Sequence, residues 1–219
     1  MDSELNSQIQ SKRDDFRSNV LDDHTAGDNP IELFMRWFKE AIASEEKEPN
    51  AITLATFNPQ TQLPNVRIVY VREILESGEW CFYTNYNSCK GKELLHHPFA
   101  SGLFFWPLLE RQVRVQGRVK KVDPAISDTY FRTRPRESQV GAWVSKQSEK
   151  IIDIEDLYMG VYALAQQFED QEVPRPPHWG GYLLIPEYYE FWQGRPARLH
   201  DRIIFEKTPS GWSRSRLMP

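Results

Sequence analysis

Only two cysteines occur in the 219 residues, Cys81 and Cys89, eight positions apart and with no CxxC or His/Cys cluster around them. Neither a disulfide scaffold nor a zinc site is indicated, and both read as free thiols in a reducing compartment. No apolar run approaches the roughly 18 residues needed to span a bilayer. The opening MDSELNSQIQSKRDD is too polar for a signal peptide, so the expected location is the cytoplasm. A basic excess is missing as well: the formal charge is −4 and the pI near 5.8. Duplex nucleic-acid binders usually carry a basic footprint over the domain, so nucleic acid is not the expected partner and any anion site must be local. Rossmann GxGxxG, P-loop, GxSxG and HExxH signatures are all absent, as are internal repeats and low-complexity tracts.

Large planar side chains are abundant. Hydrophobic residues make up 40% of the chain and aromatics 13%, with seven tryptophans, enough for a real core and for rings that face a ligand. The length suits one domain, or one domain with an arm. Residues 1–28 are polar and charged and read as a flexible N-terminal arm, leaving residues 29–219 as the folded domain. Asn29-Pro30-Ile31-Glu32 opens a helix, with Asn as N-cap and Pro at the first position, and Ile31, Phe34, Met35, Phe38 and Ile42 mark its expected buried face. From Ala51 the period becomes two. AITLATF, VRIVYVRE, WCFYTNY, SGLFFWP and RQVRVQGRVKKV are strand candidates, the last with Val113, Val115 and Val119 alternating with polar residues. Helices are expected from Ser88, from Asp123-Pro124, and over IEDLYMGVYALAQQFED, where Leu157, Val161, Leu164 and Phe168 share a face. After the connector VPRPPHWGG come GYLLIP, EYYEFWQG, DRIIFEK and WSRSRL. The fold class is mainly β with flanking helices, a barrel or a sandwich.

Five polar constellations carry candidate chemistry. Arg67 and Arg72 fall on opposite faces of one strand unless a bulge intervenes, and edge-strand solvation is the plainer account. Tyr83-Thr84-Asn85 leads through Ser88 to Lys90 and Lys92 at a helix start, where backbone N–H groups and the dipole favour an anion; simple capping is the alternative. Gln112 projects from the polar face of its strand, where its amide can both donate to and accept from a flat heterocycle. Tyr130 and Arg134 stand i and i+4 on a helix, and Pro135 then turns the chain so that Ser138 approaches the same point, beside Arg136 and Gln139. A phenol, a guanidinium and a hydroxyl together suit a phosphate monoester. In EFWQGRPARLHDR, Arg198 and His200 have the same parity and project together, with Arg202 continuing the row beside Trp192. A charge-assisted hydrogen bond contributes roughly 1.5–3 kcal/mol and micromolar affinity needs about 8 kcal/mol, so three or four contacts hold one phosphate. Two such clusters imply a phosphorylated cofactor and a phosphorylated substrate, or two phosphorylated ligands.

The blocks RIVYVRE, FYTNYNSCKGKEL, ERQVRVQGRVKKV, YFRTRPRESQVGAWVSKQS, PPHWGGY and EFWQGRPARLHDR, closing with RLMP, resemble the pyridoxamine 5′-phosphate oxidases in order and spacing over about residues 29–219. The resemblance implies the FMN-binding split β-barrel, antiparallel and Greek-key, working as a homodimer with FMN at the interface. It implies oxidation of pyridoxamine 5′-phosphate and pyridoxine 5′-phosphate to pyridoxal 5′-phosphate, with O2 as acceptor and H2O2 as product. By resemblance Arg67, Arg72, Tyr83, Thr84, Lys90, Gln147 and Ser148 hold the FMN phosphate and ribityl chain, with Gln112, Trp192 and Arg202 near the flavin. Arg72, Tyr130, Arg134 and Ser138 take the substrate phosphate, and Arg198 and His200 the substrate ring as the catalytic pair; no metal is implied. Two positions depart from the family pattern: Arg72 stands where lysine is usual, and Cys89 where an arginine usually precedes the lysine, so somewhat weaker flavin retention is expected. Family members also cover the substrate with an N-terminal arginine and tyrosine, whose nearest counterparts are Arg13 and Phe16, the latter lacking the hydroxyl. Two other readings stand beside this one: a split-barrel flavin oxidase acting on another aromatic such as a phenazine precursor, and a flavin-binding protein without turnover.

Overall fold

The structure is a computed structural model and describes residues 3–11, 16 and 19–219; Arg13 lies outside the described residues. In chain order the elements are α1 (Ser3–Ser11), α2 (Asp23–Ala26), α3 (Pro30–Ala43), β1 (Ala51–Asn58), β2 (Leu63–Ile74), β3 (Trp80–Asn85), α4 (Cys89–His96), β4 (Phe99–Trp106), β5 (Arg111–Lys121), α5 (Pro124–Arg132), α6 (Arg136–Val144), α7 (Ile154–Gln167), β6 (Trp179–Gln193), β7 (Asp201–Thr208) and β8 (Gly211–Arg216). The sheet order is β3-β2-β1-β4-β5-β6-β7-β8, and β3 also pairs with β6. That extra pairing closes six strands into a barrel, which removes the open edges a flat sheet would expose. β1, β2 and β3 form a meander, and β4 returns to pair antiparallel with β1, which is the Greek-key connection. Each expected strand is present. GYLLIP and EYYEFWQG are one 15-residue strand, β6, because proline's fixed φ fits extended backbone and Pro186 removes only a donor.

Contacts divide the chain into two units. One comprises Met1–Pro49, Phe104–Arg114 and Tyr188–Pro219; the other comprises Asn50–Leu103 and Val115–Glu187. In the first, α3 starts as its sequence requires, with the Asn29 side chain accepting from Ile31 N at 3.0 Å. Its buried face is Leu33, Phe34, Trp37 and Ala41, while Ile42 is 58% exposed. The face is rotated from the expected one because the helix carries two overlapping apolar stripes, and ring packing selects between them. Phe34 meets Phe104 at 5.5 Å, and Trp37 meets Phe191 edge-on at 5.3 Å, geometries that aromatic quadrupoles favour. Within the stretch read as an arm, Leu21 and Ala26 are buried, and Arg214 and Arg216 pair with Asp28 and Asp23.

In the second unit, Ile52, Leu54, Trp80, Phe82, Val115 and Leu184 form the barrel interior. A separate cluster of Phe131, Val140, Val173 and Trp179 is covered by Val161, Leu164 and Phe168, the face of α7 that its periodicity marks. α4 lies close to the turn before it: a Cβ on Gly91 would stand 2.2 Å from the Tyr86 carbonyl oxygen. Replacing a helical glycine with alanine ordinarily stabilises by about 1 kcal/mol. Here the clash is with backbone, so Gly91→Ala is expected to destabilise by about 1–3 kcal/mol, measured by denaturant unfolding. A stabilised variant would refute the close approach.

Candidate phosphate-binding cavity

A cavity of about 480 Å³ in the second unit is lined by Arg67, Arg72, Lys90 and Arg134, by Tyr83, Thr84, Tyr130, Ser138 and Gln147, and by Asn85, Ser145 and Trp179 among others. Among the described residues, no carboxylate lines it. Like charges at close range repel, so such a cluster in a partly buried site favours an anionic occupant.

The condition attached to Arg67 and Arg72 is met. β2 pairs Val71 with Phe82 but Glu73 with Cys81, a register shift that leaves Arg72 as the extra residue of a bulge. A bulge breaks simple alternation, and both arginines line the one cavity. Arg72 also lies over the Tyr70 ring, 4.9 Å from its centroid.

At one end, Lys90 Nζ donates to Gln147 Oε1 at 2.8 Å and Thr84 Oγ1 at 3.1 Å. Ser88 caps α4, accepting from Gly91 N at 3.3 Å and donating to the Asn85 carbonyl at 2.7 Å. Capping and site building thus coincide: the cap fixes α4's first turn, and the turn places Lys90. Ser148 sits just outside the cavity lining, in left-handed backbone with φ 76°, and its Oγ accepts from Cys89 N at 3.3 Å. Burial, and then Arg67, push the Lys90 ammonium below its ordinary value, a strain that a bound anion would relieve.

Arg67 is held from behind. Its Nη1 donates to the Leu54 carbonyl at 3.3 Å and to Thr56 Oγ1, and its Nη2 meets Glu93 Oε2 at 3.2 Å. Glu93 also accepts from Thr56 and Asn65. Burial works to raise the Glu93 carboxyl, but the Thr56 and Asn65 hydrogen bonds and Arg67 outweigh it and hold the group below the usual carboxylate range. This acid was missed in the sequence. It stands in the interior of α4, and only the Thr56–Asn65 pairing across β1 and β2 shows what surrounds it.

At the other end, Tyr130, Tyr83 and Trp179 stack almost parallel, with Tyr83 and Tyr130 3.8 Å apart at 12° and Tyr83 and Trp179 5.5 Å apart at 10°. Burial drives the Tyr83 hydroxyl far above its ordinary value, so it stays protonated. Arg134 lies 4.5 Å from the Trp179 ring centroid, and its Nη1 is buried with no hydrogen-bond partner among the described residues. Burial, and secondarily Arg72, lower its pKa. The helix expected to carry both Tyr130 and Arg134 ends at Arg132, because the residue before Pro135 is pushed out of helical backbone. Arg134 therefore reaches the cavity from a turn. Gln139 pins that turn by donating to the carbonyls of Phe131, Arg132 and Arg134 at 3.1–3.2 Å. Arg136 turns away to the Phe168 and Gln171 carbonyls.

The remaining expected residues belong to the first unit. Gln112 is half-buried on β5. Arg202 donates through Nε and Nη2 to Glu190 Oε1 at 2.9 and 2.7 Å, and Glu190 also binds Arg114. Trp192 and His200 lie 4.6 Å apart, and Phe16 packs edge-on against both at 5.5 Å. His200 Nδ1 accepts from Arg195 N at 3.1 Å, and burial followed by Arg198 lowers the imidazole's pKa. The shared parity of Arg198 and His200 does not hold. Residues 196–198 form a 3-10 turn with Ala197 and Arg198 at φ 53° and 61°, so two-residue alternation stops at Gln193 and resumes at Asp201.

A larger cavity of about 1080 Å³ lies among α5, α6, α7 and the segment before β6. Its lining sets Arg132, Arg136 and Arg175 among the carboxylates of Asp128, Glu169, Asp170 and Glu172, and Arg175 pairs with Asp128 at 2.6 Å, so it offers an anion no net positive charge.

Comparison with known proteins agrees with this geometry. Residues 38–157 match the family described as pyridoxamine 5′-phosphate oxidase, and residues 179–219 match the pyridoxine 5′-phosphate oxidase C-terminal dimerisation region. A pyridoxine/pyridoxamine 5′-phosphate oxidase of Cyanothece sp. is 48% identical over 96% of this chain and 98% of its own. The chain belongs to the pyridoxine/pyridoxamine 5′-phosphate oxidase family. Another member, from Synechocystis sp., is 50% identical over 88% of this chain and 89% of its own. Among solved structures, PhzG from Burkholderia lata, in complex with tetrahydrophenazine-1-carboxylic acid, superposes with a TM-score of 0.85 at 28% identity, covering 92% of this chain and 99% of its own. A pyridoxamine 5′-phosphate oxidase-related FMN-binding protein from Nostoc punctiforme has a TM-score of 0.69 at 16% identity, over 87% of this chain and 97% of its own, and shares the barrel fold.

Because the cavity gathers cations without a lining acid, inorganic phosphate is expected to raise the melting temperature where chloride at equal ionic strength does not. At a hundredfold excess over Kd the gain is about 2.7 kcal/mol. Arg134→Met should shrink the shift; equal shifts in phosphate and chloride would contradict the assignment.

Proposed function

We propose that the chain is an FMN-dependent oxidase that converts pyridoxamine 5′-phosphate and pyridoxine 5′-phosphate to pyridoxal 5′-phosphate, with O2 as electron acceptor and H2O2 as product. The observation that carries the reading is one cavity with two cationic ends, Arg67 with Lys90 and Arg134 with Arg72, in a chain of this family. The residues present fit the cofactor: Lys90, Thr84 and Gln147 already share hydrogen bonds, and an oxyanion can replace that mutual pairing. FMN, when bound, supplies the hydride acceptor and passes the electrons to O2.

The chain's own residues bind and orient. Arg67, Tyr83, Thr84, Lys90, Gln147 and Ser148 hold the FMN phosphate and ribityl chain. Arg134, with Tyr130, Ser138 and Arg72, takes the substrate phosphate; the unpartnered Nη1 of Arg134 supports this assignment, since a buried unmet donor is costly unless a ligand meets it. The reading assigns Gln112, Trp192 and Arg202 to the flavin and Arg198 and His200 to the substrate ring. His200, with its pKa lowered and Nδ1 accepting, is neutral near pH 7 and acts through orientation, not as a strong base. The same proposal includes a cytoplasmic homodimer with FMN at the interface, an arm of residues 1–28 and an oxidase domain of residues 29–219.

The PhzG likeness favours a second reading, oxidation of a phenazine precursor. A substrate without phosphate has no use for the Tyr130, Arg134, Ser138 end, and this weighs for the phosphorylated vitamer. Purified protein reconstituted with FMN should turn yellow and, given pyridoxamine 5′-phosphate in air, release pyridoxal 5′-phosphate and peroxide. Arg134→Met should raise KM by about 10–100-fold with kcat less affected. Bound FMN without turnover would leave a flavin-binding protein, and a protein that cannot be reconstituted would sink the flavin readings altogether.

A further inference from the structure

We propose that Glu93 is the positioning residue of the FMN-phosphate end, holding Arg67 in the one orientation that presents its remaining N–H groups to the cavity. The inference rests on the reading of that end as the FMN-phosphate site. Glu93 is 3% exposed and does not itself line the cavity, so it acts through another group. Its two oxygens meet three donors: Oε1 accepts from Asn65, and Oε2 from Thr56 and Arg67. The Thr56 hydroxyl in turn accepts from Arg67 Nη1, so Arg67 is gripped at both terminal nitrogens. A guanidinium has five N–H groups in a rigid planar fork. Three are used behind, on Leu54, Thr56 and Glu93, and the plane of the fork then decides where the other two point.

Register supplies the grip. Thr56 and Asn65 are directly paired across β1 and β2, and Leu54 is paired with Arg67, so the four groups converge on the point where α4 brings Glu93. Among the described residues, Glu93 also supplies the single negative charge in ion-pair contact with Arg67. Without it, Arg67 and Lys90 would face each other with no counter-ion until a ligand arrives, and Arg67 would be free to rotate out of the fork orientation.

Substitution of Glu93 by glutamine keeps the shape but removes the charge and puts an amide donor in place of one of the two oxygens that accept from Asn65 and from Thr56 and Arg67. The test titrates apoprotein with FMN and separately with riboflavin, which lacks the phosphate, following flavin fluorescence. The wild type should prefer FMN. Glu93→Gln should weaken FMN about tenfold while riboflavin affinity stays within about twofold, and in an Arg67→Ala background it should add nothing. Thr56→Val, which keeps the carboxylate and removes the hydroxyl link, should weaken FMN in the same selective way, and it carries the comparison if Glu93→Gln does not fold. Unchanged or tighter FMN binding, an equal loss for riboflavin, or full additivity with Arg67→Ala would overturn the role of Glu93. A wild type that binds riboflavin as well as FMN would instead overturn the phosphate reading beneath it.

Discussion

Four cations sharing one partly buried cavity is the condition around which this structure is arranged. Arg67, Arg72, Lys90 and Arg134 would repel one another in any dry site, and three different devices make them compatible. Arg67 is paired from behind with a buried carboxylate. Lys90 is spread over neutral oxygens of Thr84, Ser88 and Gln147. Arg134 lies over the Trp179 ring, where the quadrupole accepts a cation without hydrogen bonds. None of the three is neutralised inside the cavity, so the field there remains positive in a chain whose net charge is negative.

Backbone irregularities do the aiming. The β2 bulge falls at Arg72, and Arg72 lines the same cavity as Arg67. Pro135 ends α5 early and moves Arg134 into a turn that Gln139 then locks through three carbonyls. The Ser88 cap fixes the first turn of α4, and the close approach of Gly91 to Tyr86 fixes how far that turn lies from β3. Each device acts over a few residues, yet together they set the separation of the two cationic ends of the cavity.

The regular elements were largely legible in the sequence. Alternation marked β1 to β5, Asn29-Pro30 and Ser88 marked helix starts, and the α7 face followed its period. Where the reading slipped, packing had chosen between locally equal options. The α3 face turned toward Leu33 and Trp37 because Phe104 and Phe191 offer ring partners there. In EFWQGRPARLHDR a two-residue period was extended through Gly194 and Pro196, whereas Ala197 and Arg198 adopt left-handed backbone, so parity is no ground for a row there. Glu93 left no local mark, since its partners lie 26 to 37 positions away.

Residue types and their spacing determined by themselves the helix caps, the strand alternation, the blocks that carry the family resemblance and the presence of two cationic clusters, because those depend on groups within a few positions of one another. Tertiary structure alone decided that Arg67 and Arg72 line one cavity, that Arg134 Nη1 is left without a hydrogen-bond partner among the described residues and that a buried glutamate stands behind Arg67. Those outcomes depend on strand register and on which surface each helix meets, and both are set by packing between segments distant in sequence.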